Sequence, residues 1–150
     1  MKKAKLSPGM VFMVPLQDYG FAWGILTRAD QKGRAFGYFF GPRVSGVEEI
    51  DLQTVRPENS ILACRFGDLG ILQGDWPAVG SLENFEMKDW PLPSMSRIDH
   101  DSGRAWISWY DDNLHCIEES EVNIEEAASH ISASLMGFGA VEFQLTRILT

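Results

Sequence analysis

The feature that most constrains this chain is the spacing of its turn residues. Fourteen glycines and seven prolines are scattered through 150 residues and cut the apolar sequence into short runs. That punctuation disfavours long helices and favours short strands joined by tight turns. Pro8-Gly9 makes a turn that opens a strand from Met10 to Pro15. Gln17 to Gly20 is the next turn, and Phe21 to Thr27 the second arm of a hairpin. The polar turn Asp30 to Gly33 leads into a third strand, Arg34 to Phe40, which Gly41-Pro42 is expected to stop. Three strands joined this way predict a meander, the opening of a small SH3-like barrel or a curved antiparallel sheet.

Further along, Val47 to Val55 is ambiguous, although Ile50, Leu52 and Val55 can face a core and Pro57 ends the segment. Ile61 to Phe66 reads as a strand. Between Gly67 and Trp90, the residues Gly70, Gly74, Pro77 and Gly80 exclude a long regular element. Met95 to Asp99 and Arg104 to Tyr110 form a hairpin that turns through His100 to Gly103. In its second arm Trp106, Ser108 and Tyr110 alternate with Ile107 and Trp109, and large apolar groups on both faces mark a central strand. Near the end, Phe138, Val141, Leu145, Ile148 and Leu149 fit one helical face. Val141, Phe143 and Leu145 also fit strand alternation, but Gly137 and Gly139 can open a helix of three turns, so a helix is favoured. The expected fold is mainly β (α+β) with a short C-terminal helix, as one domain over residues 1–150. A chain of this length can bury a core without a disulfide or metal staple.

The charge is −8 overall and unevenly placed. Residues 1–43 carry seven Lys or Arg against two acids, whereas the remainder carries six against nineteen. The run 111–126, DDNLHCIEESEVNIEE, holds seven acids and no Lys or Arg. This balance argues against nonspecific nucleic-acid binding, which needs a basic surface. An acidic face can steer a basic partner, or it can simply keep the protein soluble. The N-terminal apolar stretch is broken by Pro8, Gly9, Pro15 and Gln17, and no small-residue cleavage site follows. No apolar window reaches the ~18 residues of a spanning helix, so a cytoplasmic location is expected. Cys64 and Cys116 form no Cys-x-x-Cys pair and read as free, buried thiols.

Signals for chemistry are weak. His100, His115 and His130 are the only histidines, with no His-x-His and no i, i+4 pair. Asp99, His100, Asp101, Asp111, Asp112 and His115 can be imagined as a metal cluster, but a turn and surface reading is favoured. No Gly-x-Ser-x-Gly elbow, phosphate loop or dinucleotide fingerprint occurs. No catalytic residue, metal or cofactor is therefore assigned. Trp23, Trp106 and Trp109 lie in expected strands and read as core. Trp76 and Trp90 lie in loops, each before a proline, where a rigid ring can anchor a partner or plug the mouth of a small barrel.

Several short motifs then fall in order. They are Gly9-Met10-Val11-Phe12, Pro15-Leu16, Gly37-Tyr38-Phe39-Phe40 and the run Arg65-Phe66-Gly67-Asp68-Leu69-Gly70. After these come Gly74-Asp75-Trp76-Pro77, Gly80, Trp90-Pro91-Leu92-Pro93, Arg97-x-Asp99, Trp109-Tyr110-Asp111-Asp112 and Gly137 to Glu142. This arrangement resembles the immunity protein 26 family over nearly the whole chain. The resemblance implies a protein of bacterial polymorphic-toxin or contact-dependent inhibition systems that neutralises a cognate, basic toxin domain without catalysis. The family label also touches a small organophosphate-cleaving phosphotriesterase, so a hydrolase is the runner-up, and a regulatory β domain with no toxin is a third reading. The expected contact set is Asp111, Asp112, Glu118, Glu119 and Glu121, with Trp76 or Trp90 as anchor. Arg65, Asp68 and Asp75 are expected to pair internally and, with Phe66, Gly67, Gly74, Pro77, Arg97, Asp99 and Tyr110, to hold the scaffold.

Overall fold

The computed structural model describes residues 6–53 and 55–150. The first sheet contains β1 (Met10–Pro15), β2 (Phe21–Ala29), β3 (Arg34–Val44), β4 (Leu62–Gly67) and β5 (Ala78–Ser81). Its order is β4-β3-β2-β1-β5, with every pairing antiparallel. The meander is as expected, but it does not close into a barrel. The outer edge of β4 is taken instead by a later segment: Met136 N–H donates to Arg65 O, and Gly67 N–H to Met136 O. The chain crosses from β4 to β5 through the short helix α1 (Leu69–Leu72) and Trp76. β3 also runs past Gly41-Pro42 to Val44. Its ladder to β2 goes from Trp23↔Phe40 directly to Phe21↔Val44, so no rung requires an N–H from Pro42.

Because side chains alternate across a strand, the apolar runs load both faces of this sheet. One face carries Phe12, Val14, Leu26, Phe39 and Phe66, packed with Trp76. Phe12 stacks on Trp76 at a centroid distance of 5.7 Å, and Phe39 meets Phe12 edge-on at 5.7 Å. Offset stacks and edge-to-face contacts are the favoured aromatic geometries. Helix α3 (Phe138–Ile148) covers this face with Val141 and Leu145, and Leu149 packs beside them. The helix is as expected, but Phe138 and Ile148 stay exposed. The seam is the narrow i, i+4 stripe at 141 and 145.

The opposite face carries Trp23, Ile25, Phe36, Tyr38 and Phe40. Trp90, Met95 and Leu114 cover it, with Ile50, Leu52 and Val55 at its margin. Met95 belongs to a second sheet of β6 (Met95–Asp99), β7 (Arg104–Tyr110), β8 (Cys116–Val122) and β9 (Ile131–Ser132). The order is β8-β7-β6-β9, so β7 is central as expected, and β9 runs parallel to β6. Helix α2 (Ile124–Ala128) lies between β8 and β9, its N-terminus capped by the Asn123 side chain accepting from Glu126 N–H at 2.7 Å. β8 and α2 escape sequence reading because β8 is polar at most positions and carries no apolar period.

Two arginines and a tyrosine tie the sheets together. Arg28, buried on β2, donates to Trp90 O and to Asp112 Oδ1. Tyr38 donates its hydroxyl to Pro91 O, and Arg65 reaches from β4 to Ala133 O at 2.7 Å. The segment 131–136 completes the join, since Ala133 N–H donates to Ser96 O on β6 while Met136 pairs with β4.

Gly24 illustrates the packing density. A Cβ there would lie 2.6 Å from Phe12 Cζ and 3.2 Å from Phe39 Cδ1. Gly24→Ala is expected to destabilise the protein by about 1–3 kcal/mol through overpacking. Gly139, inside α3 with nothing within 4 Å of its added Cβ, should behave oppositely, and Gly139→Ala should stabilise by up to ~1 kcal/mol. Urea unfolding of the two variants checks both signs.

Candidate functional site

β8 is an edge strand whose only sheet neighbour among the described residues is β7. Its residues from Cys116 to Glu121 are all exposed. The register sets Glu119 opposite Ser108, Glu121 opposite Trp106 and Glu118 opposite Trp109. Since paired residues share a face, Glu119 and Glu121 lie on the side of Arg97 and Arg104, and Glu118 on the other.

The acidic run is therefore less free than its sequence implies. Glu119 accepts from Ser108 Oγ at 2.7 Å and from Arg97 at 3.1 Å. Glu121 takes Arg104 with both oxygens, at 2.7 and 3.3 Å. Trp106 lies under both guanidinium groups, 4.1 Å from Arg97 and 5.1 Å from Arg104. Asp112 pairs with Arg28 at 3.2 Å but keeps most of its side chain in solvent. Asp111 shapes the turn into β8, accepting from Asn113 N–H and His115 N–H at 2.9 Å each. Among the described residues, Glu118 is the acid of the expected contact set whose carboxylate makes no hydrogen bond or ion pair; its carbonyl accepts from Cys116 Sγ.

The titration shifts follow from these contacts. The Ser108 hydroxyl and then Arg97 hold Glu119 below its ordinary value, and Arg104 does the same for Glu121. The His115 backbone N–H, helped by the Asn113 N–H, holds Asp111 below its ordinary value against the opposing effect of burial. Asp99 is lowered first by the Ser102 hydroxyl and then by the Asp101 N–H. Asp68 moves up instead, because it is buried and lies near Asp30.

The two loop tryptophans are not surface anchors. Trp76 is fully buried, its Nε1 donating to Glu142 Oε2 at 2.8 Å. Trp90 is buried beneath Tyr38 and Phe40. The exposed tryptophan is Trp109, expected in the core but 38% accessible. It sits opposite Glu118, whose neighbour in β8, Ile117, is 65% accessible. Alternating apolar groups had marked β7 as covered on both faces. An edge partner as polar as β8 leaves Trp109 partly open, a tertiary fact with no local sequence signal.

The expected pairing of Arg65 with Asp68 and Asp75 does not occur among the described residues. Arg65 turns toward the second sheet, with Nη1 on Ala133 O and its guanidinium 5.1 Å from the Tyr110 ring. Asp68 lies at the entry to α1, its carbonyl accepting from Ile71 and Leu72, while Asp75 is exposed. Phe66 is buried, Gly67 bonds Met136, Gly74 adopts φ +84, and Pro77 O accepts from Met13 N–H. Between β4 and the second sheet lies a cavity of about 590 Å³ lined by Arg65, Arg97, Ser108, Tyr110, Cys116 and Glu119, among others. His100 and His130 also line it, whereas His115 sits beside Asp111. Among the described residues, no three His, Cys, Asp or Glu side chains converge to hold a metal ion. No helix among the described residues is long and apolar enough to cross a membrane.

The thiols differ sharply. Burial pushes Cys64 up to about 12, whereas Cys116 is exposed, contrary to the expectation that both are buried. A disulfide-exchange reagent should titrate one thiol in the native protein and the second only on unfolding. Acid should act in part through the β8 carboxylates, beside Asp18, Asp30, Asp99 and Asp111, which are lowered too. A group lowered on folding contributes stability above its unfolded value, near 4.5 for glutamate, and loses it as pH falls through the folded value. Glu121→Gln should therefore flatten the loss of stability between about pH 6 and 3, read as the slope of thermal midpoint against pH.

A family model described as Immunity protein 26 matches residues 7–107, two thirds of the chain. The match spans the whole first sheet and ends within β7. The motifs at 109–112 and 137–142, and all of β8, lie beyond it. No curated protein and no solved structure matches the chain.

Proposed function

The chain belongs to the immunity protein 26 family, and from that premise we propose that it binds a cognate toxin domain and neutralises it by covering the toxin's active cleft. Family membership is the observation that carries this reading. The exposed, acidic β8 edge supports the choice of surface.

In this reading Trp109 and Ile117 form the apolar centre of the contact, since a partly exposed aromatic ring gives much buried area at low entropic cost. Glu118 supplies the uncommitted charge, and Asp112 a second one shared with Arg28. Glu119 and Glu121, each already matched to an arginine, flank that centre. Asp111 shapes the turn rather than touching the partner. A cleft that binds an anionic substrate is basic, so carboxylates on a rigid strand would steer the encounter and occupy the place of substrate. The protein acts by occlusion in the cytoplasm, and no bond is made or broken on it.

The test first looks for a toxin domain encoded beside this gene and then measures its binding to this chain. Glu118→Lys should slow association by about tenfold at low salt, with a smaller difference at high salt. Trp109→Ala should weaken binding by about 2 kcal/mol or more, mainly through faster dissociation. Stopped-flow association and surface-based dissociation rates measure the two. Unchanged kinetics in both variants would remove β8 from the interface, and absence of any complex would remove the toxin reading itself.

A further inference from the structure

The cavity between the sheets holds an arginine whose hydrogen-bonding capacity is only partly used. Arg65 Nη1 donates to Ala133 O at 2.7 Å and approaches Tyr110 Oη at 3.5 Å. Its Nε is buried and has no partner. Nη2 likewise makes no hydrogen bond among the described residues. Nε and Nη2 form one side of the planar guanidinium, and that two-donor edge matches the two oxygens of a carboxylate. A buried donor left unmatched is costly, and Arg65 Nε is such a donor.

The surroundings favour one class of ligand. The wall holds Arg65 and Arg97 against a single carboxylate, Glu119. That carboxylate is already engaged by Arg97 and Ser108. The cavity is thus locally positive in a protein of net charge −8. Its volume of about 590 Å³ lies in the range of small-molecule pockets, larger than one carboxylate needs and sufficient for an amino-acid-sized acid. The Ser132 and Ser134 side chains also line it and offer neutral donors and acceptors for the rest of such a molecule.

We infer that this cavity binds the carboxylate of an amino-acid-sized acid on the Nε–Nη2 edge of Arg65. The acid is either a free small molecule or a Glu or Asp side chain presented by a partner. The inference rests on the chemistry of the cavity alone and stands whether or not β8 binds a toxin.

The experiment uses the intact folded chain and three probes: N-acetyl-glutamate α-amide, its neutral glutamine counterpart, and inorganic phosphate. The Arg65 Nε–Hε resonance is followed by NMR during titration. The glutamate probe should give a saturable downfield shift, and the glutamine probe none. Cys116, which is exposed and lines the cavity, gives a readout that needs no substitution. The glutamate probe should slow its alkylation by N-ethylmaleimide, and prior alkylation should weaken the probe by about tenfold or more. Arg65→Lys, which keeps the charge but loses the fork, should weaken it similarly. No saturable shift and no protection of Cys116 would mean that water alone meets the Arg65 edge, and would overturn the inference. Phosphate binding more tightly than the glutamate probe would overturn the assignment to a carboxylate. If a toxin complex forms, exclusion of the probe from the complex assigns the acid to the partner's side chain. Undiminished binding of the probe assigns it to a free molecule. Both of these results uphold the carboxylate site.

Discussion

The structure depends on one constraint: its first sheet is apolar on both faces and must be covered twice. Phe12, Phe39 and Phe66 on one side and Trp23, Phe36 and Phe40 on the other leave neither face fit for water. Each buried aromatic side chain adds roughly 2–3 kcal/mol of hydrophobic driving force, so both covers are strongly favoured. Helix α3 and Trp76 serve the first face. The Trp90 loop and the base of the second sheet serve the other. The second sheet is therefore both a lid on the core and the mount for the exposed β8 edge. Its inner end, at Met95, is fully buried, whereas its outer strand is exposed from Cys116 to Glu121.

Charge is arranged by the same division. The acids of residues 111–126 are contiguous in sequence, but the cations that meet them come from elsewhere: Arg28 from the first sheet, and Arg97 and Arg104 from the neighbouring hairpin. Exposed pairs of this kind contribute modestly to stability, about 0–1 kcal/mol each. Their larger effect is on orientation. Arg97 and Arg104 are held over Trp106 and in turn hold Glu119 and Glu121, which fixes side chains that would otherwise sample many rotamers. A surface organised in this way loses less entropy when something docks on it.

Much of this was legible in the sequence where local chemistry governs. The Asp30–Gly33 turn and the His100–Gly103 turn fall where glycine and aspartate place them, and the strands between them follow. The C-terminal helix could be read from Val141 and Leu145. What escaped was decided at a distance. Whether the sheet closes depends on Met136 reaching β4, some 70 residues later in the chain. Whether Trp109 is core depends on how polar its edge neighbour is. The fate of Arg65 depends on Ala133 and Tyr110 lying nearer to it than the acids adjacent in sequence. Trp76 and Trp90 carried two readings, and only the depth of their burial separates them.

The short stretch 131–136 has a mechanical meaning. It shares backbone hydrogen bonds with β6 at one end and with β4 at the other. Sliding of one sheet over the other would have to break one of these ends, because only Ser134 and Leu135 lie between Ala133, bonded to β6, and Met136, bonded to β4. A load applied at the outer edge of the second sheet is thus passed through this strap to the rim of the first, and from there into the aromatic centre of the molecule. The two layers should yield to force as a single body rather than peel apart.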